Sequence, residues 1–232
     1  MKRNMYRIST GIEGLDRIIG GGFIKGSLIT IAGSTGSGKT TFGIQFLVEG
    51  AKRNEAGMFI SFDQPKYLIY GNMSSFMWDL NKLEREKKLL IIEYPHNELN
   101  SFFQKENAII DIIDTLGVER VVLDPIGPLL NAFLQEKNQL FMHKFINSLR
   151  KWGTTTLLIA EEKHLEQSAI PHTDHGIENY TDGFIHLGWK IAKNKRIRVI
   201  DIIKMRGSAH ENSLYQYLID INGITIGKEI KE

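Results

Sequence analysis

The sequence is poor in several features, and each shortage excludes a class of protein. It contains no cysteine, which excludes disulfides, thiol nucleophiles and cysteine-ligated zinc. Its 29 Lys and Arg nearly balance 27 Asp and Glu, and a net charge of +2 argues against a dedicated polyanion binder. Asp124, Pro125 and Pro128 interrupt the longest apolar run, residues 121–134, so we expect no membrane span. No apolar segment follows residues 1–3, so we expect a cytoplasmic protein without a secretory signal.

What remains is the composition of an ordinary globular protein. Hydrophobic residues make up 42% and charged residues 24% of the 232 residues, which is enough apolar material for a full core. The sequence has no linker rich in Pro, Gly or Ser, no low-complexity block and no internal repeat. We therefore predict a single domain over residues 1–232.

Predicted strands and helices alternate over the first two thirds of the chain. Five almost continuously apolar runs are typical of parallel strands covered on both faces, namely residues 28–31, 58–62, 89–92, 121–123 and 156–159. Apolar side chains three or four apart predict helices over residues 41–53, 107–116 and 137–152. This alternation predicts an α/β fold with a mostly parallel sheet. Residues 183–190, 196–205 and 214–226, with turn signals at Asn194 and Asn222-Gly223, predict antiparallel strands added to it.

A complete phosphate-loop motif, G-x-x-x-x-G-K-[ST], follows the first of these strands. The candidate binding residues are Gly33, Ser34, Thr35, Gly36, Ser37, Gly38, Lys39, Thr40 and Thr41. Glycines let backbone N–H groups approach phosphate oxygens, and the helix that follows adds its positive end. Lys39 would reach the β- and γ-phosphates, and the Thr40 hydroxyl would ligate magnesium. The alternative is a glycine-rich turn that binds nothing.

Two carboxylates at strand ends are candidates to complete this site. Asp124 ends an apolar strand, which is the Walker B pattern, and would hold the magnesium, although many buried strands end in Asp at a turn. Asp63 follows residues 58–62 at the carboxyl end of a strand, where parallel sheets bind ligands. It would orient the attacking water as a base; the alternative is a turn residue before Pro65.

Lys204 and Arg206 form a pair of cations near the end of a late strand. Residues two apart on a strand share a face, so both side chains are predicted to project together, while Ile203 and Met205 take the other face with Val199 and Asp201. Two adjacent cations repel each other unless an anion lies between them. A neighbouring subunit's nucleotide phosphate would serve, whereas the plain alternative is a solvated surface strand.

Two further clusters are weaker candidates. A loop-like stretch contains His164, His172 and His175 with Glu161, Glu162 and Asp174, but the spacing fits no metal-site template. The main basic cluster consists of Lys193, Lys195, Arg196 and Arg198. It would bind nucleic-acid phosphates or form a solvated hairpin tip. No aromatic residue is interleaved with it, and Trp78, Trp152 and Trp189 are predicted to be packing residues.

Taken together, the motifs resemble the KaiC-like branch of the RecA/RadA ATPase superfamily. The resemblance lies in residues 9–16, 20–23 and 25–27 before the phosphate loop, residues 177–183, and the segment Lys204-Met205-Arg206-Gly207-Ser208-Ala209-His210. It covers residues 8 to 227, and these motifs occur in the family's order.

The resemblance implies a RecA-like core, and ATP with Mg²⁺ at the interfaces of a homo-oligomeric ring, usually a hexamer. Lys204 and Arg206 would act on a neighbour's phosphates, with His210 nearby, and Glu161 would lie near the nucleotide. Where the family commonly has a Glu-Glu pair, this chain has Asp63-Gln64. Glutamine orients water but cannot accept a proton as a base, so slow turnover or binding without turnover is expected. Pro125 stands where the family commonly has Ser or Thr, so a hydroxyl contact there is lost.

Two functions stay open on this evidence. The first is a regulatory ATPase that forms a ring and signals through a protein partner. The second is a recombination or repair paralogue that binds single-stranded DNA. The near-neutral charge and the acidic, histidine-bearing loop favour the first.

Overall fold

The computed structural model describes residues 6–102, 104–133, 139–163, 170–192 and 194–231. The strands are β1 Arg7–Ile8, β2 Phe23–Ile24, β3 Leu28–Gly33, β4 Ala56–Ser61, β5 Leu89–Glu93, β6 Val118–Asp124, β7 Thr155–Lys163, β8 His172–Thr173, β9 Gly183–Ala192, β10 Lys195–Met205, β11 Tyr215–Asp220 and β12 Gly223–Glu229. The α-helices are α1 Leu15–Ile18, α2 Lys39–Lys52, α3 Lys66–Met73, α4 Leu80–Arg85, α5 Glu106–Leu116, α6 Gly127–Phe133 and α7 Gln139–Lys151, and short 3₁₀ turns span His96–Ser101 and Ile177–Asn179.

The central sheet has the strand order β12-β11-β10-β9-β3-β7-β6-β4-β5. All strands from β9 to β5 in this order run parallel to one another. β10, β11 and β12 then continue in antiparallel pairs from β9. The predicted α/β fold, with a mostly parallel sheet and antiparallel strands at the C-terminal end, is confirmed. β9 belongs to both parts, because it runs parallel to β3 and antiparallel to β10.

Helices cover both faces of this sheet, as strands that are apolar on both sides require. One core layer packs α2, α3 and α4 against the sheet through residues such as Phe42, Phe46 and Ile69. The other packs α5, α6 and α7 through residues such as Ile113 and Phe145. None of the helices in the described part of the chain is long and apolar enough to cross a membrane.

One difference from the predicted elements is at the start of β6, which begins at Val118 instead of residue 121. Arg120 interrupts the apolar pattern, yet its side chain is fully buried. Its guanidinium donates to Glu55 at 2.7 Å and to the carbonyl oxygens of Ser9 and Phe46 at 2.9 Å each. A buried cation with these partners is compatible with an interior strand, and no local sequence signal reveals those partners.

Candidate functional site

The phosphate-loop motif connects the last residue of β3, Gly33, with the first residue of α2, Lys39. Gly36 and Gly38 have φ angles of 76° and 94°, a backbone region that favours glycine. A Cβ atom on Gly33 would lie 2.1 Å from the carbonyl oxygen of Leu187 in β9. Glycine is therefore required there by close packing of the loop on the neighbouring strand.

The Lys39 ammonium lies across this loop. It donates hydrogen bonds to the carbonyl oxygens of Gly33 at 2.7 Å and Ser34 at 3.2 Å. Burial lowers the pKa of Lys39, while the negative charges of Asp124 and Glu161, among others, act in the opposite direction. The lysine is thus a partly desolvated cation beside carboxylates, close to where the motif places phosphate oxygens.

Ser37, at the centre of the motif, carries two unusual features. Its side-chain hydroxyl is buried and has no hydrogen-bond partner among the described residues. Its carbonyl oxygen accepts a hydrogen bond from the hydroxyl of Tyr217 in β11. Burial also raises the pKa of Tyr217, so the phenol remains a neutral donor. Sequence reasoning missed this anchor, because Tyr217 is 180 residues away from Ser37 along the chain.

The two predicted metal ligands lie together. The Thr40 hydroxyl forms a hydrogen bond with the Asp124 carboxylate. Asp124 is only 8% exposed, and burial raises its pKa to about 6 against the opposing effects of Thr40 and Lys39. Thr41, the next residue of α2, is also buried. Oxygen ligands of this kind suit Mg²⁺.

Asp63 and Gln64 lie in the turn between β4 and α3. Asp63 is exposed and lines a cavity of about 250 Å³ whose wall also includes Glu161, Asp174 and His175. Its charge raises the pKa of Asp124, so the two carboxylates are close enough to interact. The Gln64 backbone is fixed by the Ser61 hydroxyl, and its side-chain oxygen accepts from Asn72 at 3.3 Å. A smaller hollow brings Gln64 next to Thr40 and Asp124.

Lys204 and Arg206 lie away from this group of residues. β10 pairs with β9 so that Met205 is opposite Gly183, and Gly183 is opposite Ile29 near the beginning of β3. The phosphate loop, in contrast, begins at Gly33, where β3 ends. Within one chain, the cation pair therefore lies at the edge of the sheet where β3 begins, and the phosphate loop lies at the opposite edge, where β3 ends.

The predicted alternation around Lys204 is wrong at one point. The pairing of β10 with β9 shifts between Ile202 and Lys204, so Ile203 is the extra residue of a β-bulge. Met205 then joins the α2-side core with Ile202, whereas Ile203 packs on the opposite side. β10 ends at Met205, and Arg206 lies in the following turn. The charges of the two cations still interact. Burial is the largest cause that lowers the pKa of Lys204, and the positive charge of Arg206 is the second.

In the histidine-bearing stretch, His172 and His175 have different surroundings. His172 lies 3.2 Å from the Glu178 carboxylate, and His175 lines the cavity beside Asp63. His164 lies outside the described residues. Within the described ranges, no group of three or more His, Asp and Glu side chains could hold a metal ion. Glu162 instead forms a short hydrogen bond with His186 of β9, a partner that the sequence did not indicate.

The basic cluster gains an aromatic neighbour from the adjacent strand. The guanidinium carbons of Arg198 and Arg196 lie 4.7 Å and 5.6 Å from the centre of the Trp189 ring. Lys193 lies outside the described residues. Of the other tryptophans, Trp152 is buried and Trp78 stacks on Phe76. Strand pairing thus brings together an aromatic residue and two cations that are not interleaved in the sequence.

Comparisons with known proteins agree with this geometry. The family model described as the KaiC ATPase matches residues 8–231. The chain belongs to the KaiC family of ATPases. Its RecA-like architecture is shared with the crystal structure of a KaiC-like protein from Pyrococcus horikoshii, with a TM-score of 0.84 and 29% identity over 97% of this chain and 100% of that one.

Curated relatives of two lengths support the same assignment. The chain is 33% identical to the circadian clock protein KaiC2 of Synechocystis sp. over 96% of its own length, but it spans only 40% of that protein. It is 26% identical to a UPF0273 protein of Aeropyrum pernix, over 95% of this chain and 93% of that protein. The KaiC-like resemblance predicted from the motifs is therefore confirmed.

Proposed function

We propose that this chain is an ATP-binding, slowly hydrolysing ATPase whose protomers, each a single domain, form a ring with nucleotide at the subunit interfaces. The observation that carries the proposal is the separation of the phosphate loop from the Lys204–Arg206 pair. Along β3, the path from Ile29 to Gly33 covers about 13 Å at about 3.3 Å per residue. A phosphate on the loop is therefore beyond the reach of these cations in the same chain, which supports their action on a neighbouring one.

The electrostatics of the pair support the same assembly. Burial and the charge of Arg206 lower the pKa of Lys204, so the lysine has an environment that disfavours its charge. An anion supplied by a neighbouring protomer would offset this repulsion, as an arginine finger does in other nucleotide-hydrolysing enzymes. A contact that joins two different edges of the same protein is heterologous and generates a closed ring when its rotation closes. We propose six protomers, the usual number for the family.

The residues around the loop fit ATP and Mg²⁺. Ser37 offers a buried hydroxyl without a partner among the described residues, and glycine at position 33 leaves no side chain in the way. Thr40 and Asp124 would hold the magnesium, while Lys39 would contact the phosphates. When bound, magnesium would neutralise charge that develops on the phosphate oxygens.

Hydrolysis would depend on Asp63 and Gln64. In this step a water oxygen attacks the γ-phosphorus, the bond to the β–γ bridging oxygen breaks, and Asp63 accepts the water proton, giving ADP and inorganic phosphate. Gln64 would orient the water. Because the chain offers one short carboxylate here and an amide beside it, we propose slow turnover. A regulatory role through a protein partner, in the cytoplasm, completes the proposal.

The first experiment measures assembly and turnover in the same sample. Mass photometry with ATP and magnesium would be run beside a phosphate-release assay on the wild type, Lys39→Ala, Asp63→Asn and Arg206→Ala. We expect a ring with slow phosphate release that both Asp63→Asn and Arg206→Ala abolish. A ring that releases no phosphate would instead indicate a nucleotide-gated scaffold and refute the role of Asp63.

A mixing experiment tests the action of the cations across the interface. Lys39→Ala keeps its cations but has a defective loop, whereas Arg206→Ala keeps its loop but has a defective cation pair. When the two inactive variants are mixed, interfaces that combine the intact halves are expected to restore phosphate release. If mixed samples form rings but stay inactive, the cations do not act across the interface.

Binding of single-stranded DNA is a second candidate, favoured by one observation. Trp189 lies against Arg196 and Arg198, and aromatic and cationic side chains together are typical of single-strand binding surfaces. A salt-sensitive gel shift that is lost on neutralising Lys195, Arg196 and Arg198 would support this function. Absence of a shift at low salt would exclude it.

A further inference from the structure

Residues 172–182, which we call the cross-sheet segment, run along the sheet in the direction of β3. They begin at the edge of the sheet that carries the phosphate loop and end at the opposite edge, which carries the cation pair. At its first end, Thr173 pairs with Glu162 just beyond the end of β3. At its last end, Asp182 exchanges hydrogen bonds with Leu28 at the beginning of β3, at 2.7 Å and 3.0 Å. The segment therefore touches both halves of the proposed interface site.

The first end forms part of the cavity wall beside the phosphate loop. Thr173, Asp174, His175 and Ile177 line the cavity together with Asp63. Ile177 is fully buried in the core layer on the face of the sheet that α5, α6 and α7 cover. The wall of the cavity in which the proposed base lies therefore includes this part of the chain.

The other end of the segment accepts hydrogen bonds from the Lys204 ammonium and from the backbone of Arg206. The Lys204 ammonium donates to the carbonyl oxygen of Glu178 at 2.5 Å. The backbone N–H of Arg206 donates to the carbonyl oxygen of Asp182 at 2.8 Å. The Asp182 carboxylate itself forms a bidentate ion pair with the Arg150 guanidinium, at 3.0 and 3.1 Å. The positions of Lys204 and Arg206 therefore depend on the backbone of the cross-sheet segment.

The Glu178 carboxylate joins the two ends. Glu178 is only 6% exposed. Its carboxylate accepts from the Thr173 hydroxyl and, at 3.4 Å, from the Thr173 backbone N–H, and it lies 3.2 Å from His172. The Thr173 hydroxyl also accepts from the N–H of Ile177 at 3.1 Å. A buried carboxylate with several donors is held rigidly, so the Glu178 carbonyl that receives Lys204 is held as well.

We infer that Glu178 is a positioning residue that couples the cavity beside one phosphate loop to the cations presented to the next. Glu178 is not among the residues proposed to contact the nucleotide or the attacking water. It sets the place of Lys204 and ties that place to the wall of its own protomer's cavity. Each protomer thereby links two successive nucleotide sites of the ring. This inference rests on the proposed function, because it assumes that Lys204 and Arg206 act across an interface.

The test uses Glu178→Gln, which keeps the shape of the side chain but removes its charge. We expect kcat to fall about tenfold, equivalent to about 1.4 kcal/mol, with little change in KM for ATP, because the loop that binds ATP is intact. Glu86→Gln is the matched control. Glu86 is an exposed carboxylate near Lys82 and Lys88, shortly before β5, the outermost strand of the sheet. This variant is expected to leave kcat unchanged.

A second pair of variants distinguishes a positioning role of Glu178 from a loss of folding. Thr173→Val removes the hydroxyl that bonds Glu178 and is expected to lower kcat in the same way, whereas Thr173→Ser, which keeps the hydroxyl, should recover most of the loss. Circular dichroism would report whether each variant is folded. A purely structural role would lower thermal stability in both Thr173 variants without this recovery of kcat.

Mixed rings separate failure of this inference from failure of the proposed function. Lys39→Ala protomers supply intact cations and are expected to restore activity to Glu178→Gln, whereas Lys39→Ala/Glu178→Gln protomers are not expected to do so. If Lys39→Ala rescues Arg206→Ala but Glu178→Gln shows wild-type kcat or is not rescued, the positioning role is wrong and the proposed function stands. If Lys39→Ala fails to rescue Arg206→Ala, the proposed function itself fails, and the inference with it.

Discussion

Replacing Asp124 with asparagine is expected to remove a pH-dependent loss of stability from the nucleotide-free protein. Burial raises the carboxyl pKa of Asp124 from 3.8 to about 6. The Thr40 hydroxyl and the Lys39 ammonium oppose this rise, and the charge of Asp63 adds to it. The folded protein therefore keeps a proton here at pH values where the unfolded chain has released it.

The sign of the effect follows from which state binds this proton more tightly. Below pH 3.8 the carboxyl is protonated in both states and its pKa shift costs nothing. Between pH 3.8 and about 6 only the folded state keeps the proton, so its contribution to the free energy of unfolding falls as the pH rises. Above about pH 6 the loss is complete at about 3 kcal/mol, from 1.36 kcal/mol per pH unit.

Urea unfolding of the wild type and Asp124→Asn, in EDTA and without nucleotide, measures this contribution. Other groups titrate in both proteins, so the difference between the two free energies of unfolding isolates Asp124. We expect the difference to be small near pH 4 and to grow to about 3 kcal/mol in favour of asparagine near pH 8. The matched control is Asp114→Asn on the exposed face of α5, where we expect a small difference at both pH values.

Two outcomes would refute the reasoning. A difference between wild type and Asp124→Asn that is the same at both pH values would mean that burial of the charge does not cost stability. A wild type that is the more stable protein near pH 8 would mean that Lys39 and Thr40 stabilise the carboxylate by more than burial costs. In either case the folded protein would not bind the Asp124 proton more tightly than the unfolded chain does.

Three further variants test other parts of the structure. Glu55→Gln leaves the buried guanidinium of Arg120 without its counter-charge and is expected to lower the free energy of unfolding by about 3 kcal/mol in urea titrations. Gly33→Ala places a Cβ atom against a backbone carbonyl of β9 and should cost about 1–3 kcal/mol and abolish binding of a fluorescent ATP analogue. Tyr217→Phe removes the donor to the Ser37 carbonyl and should raise KM for ATP more than it lowers kcat.

One matched control and two contrary outcomes test these expectations. Glu119→Gln breaks an exposed ion pair with Lys25 and should change stability by less than about 1 kcal/mol; an equal loss in Glu55→Gln and Glu119→Gln would contradict the buried-charge argument. Nucleotide binding by Gly33→Ala at wild-type affinity would show that the loop can move away from β9. An unchanged KM in Tyr217→Phe would mean that the hydroxyl does not hold the loop.

The sequence predicted the sheet well where a single residue pattern covers each strand. Continuous apolar runs located β3, β4, β5 and β7, since burial on both faces leaves a local signature. The start of β6 was missed because Arg120 breaks the pattern, and its burial depends on Glu55, 65 residues away along the chain. Distant partners of this kind leave no local signal.

The candidate site divides in the same way between sequence and tertiary structure. The phosphate loop was determined by the sequence alone, because a glycine-rich turn, a lysine and a helix start are contiguous and their geometry follows from the local backbone. Only the tertiary structure decided that Lys204 and Arg206 lie at the opposite edge of the sheet from Gly33, and that Glu178 holds Lys204. Those facts depend on strand register, a bulge at Ile203 and a chain segment that crosses the sheet. Register and crossing are set by the packing of distant residues, which no spacing along the chain records.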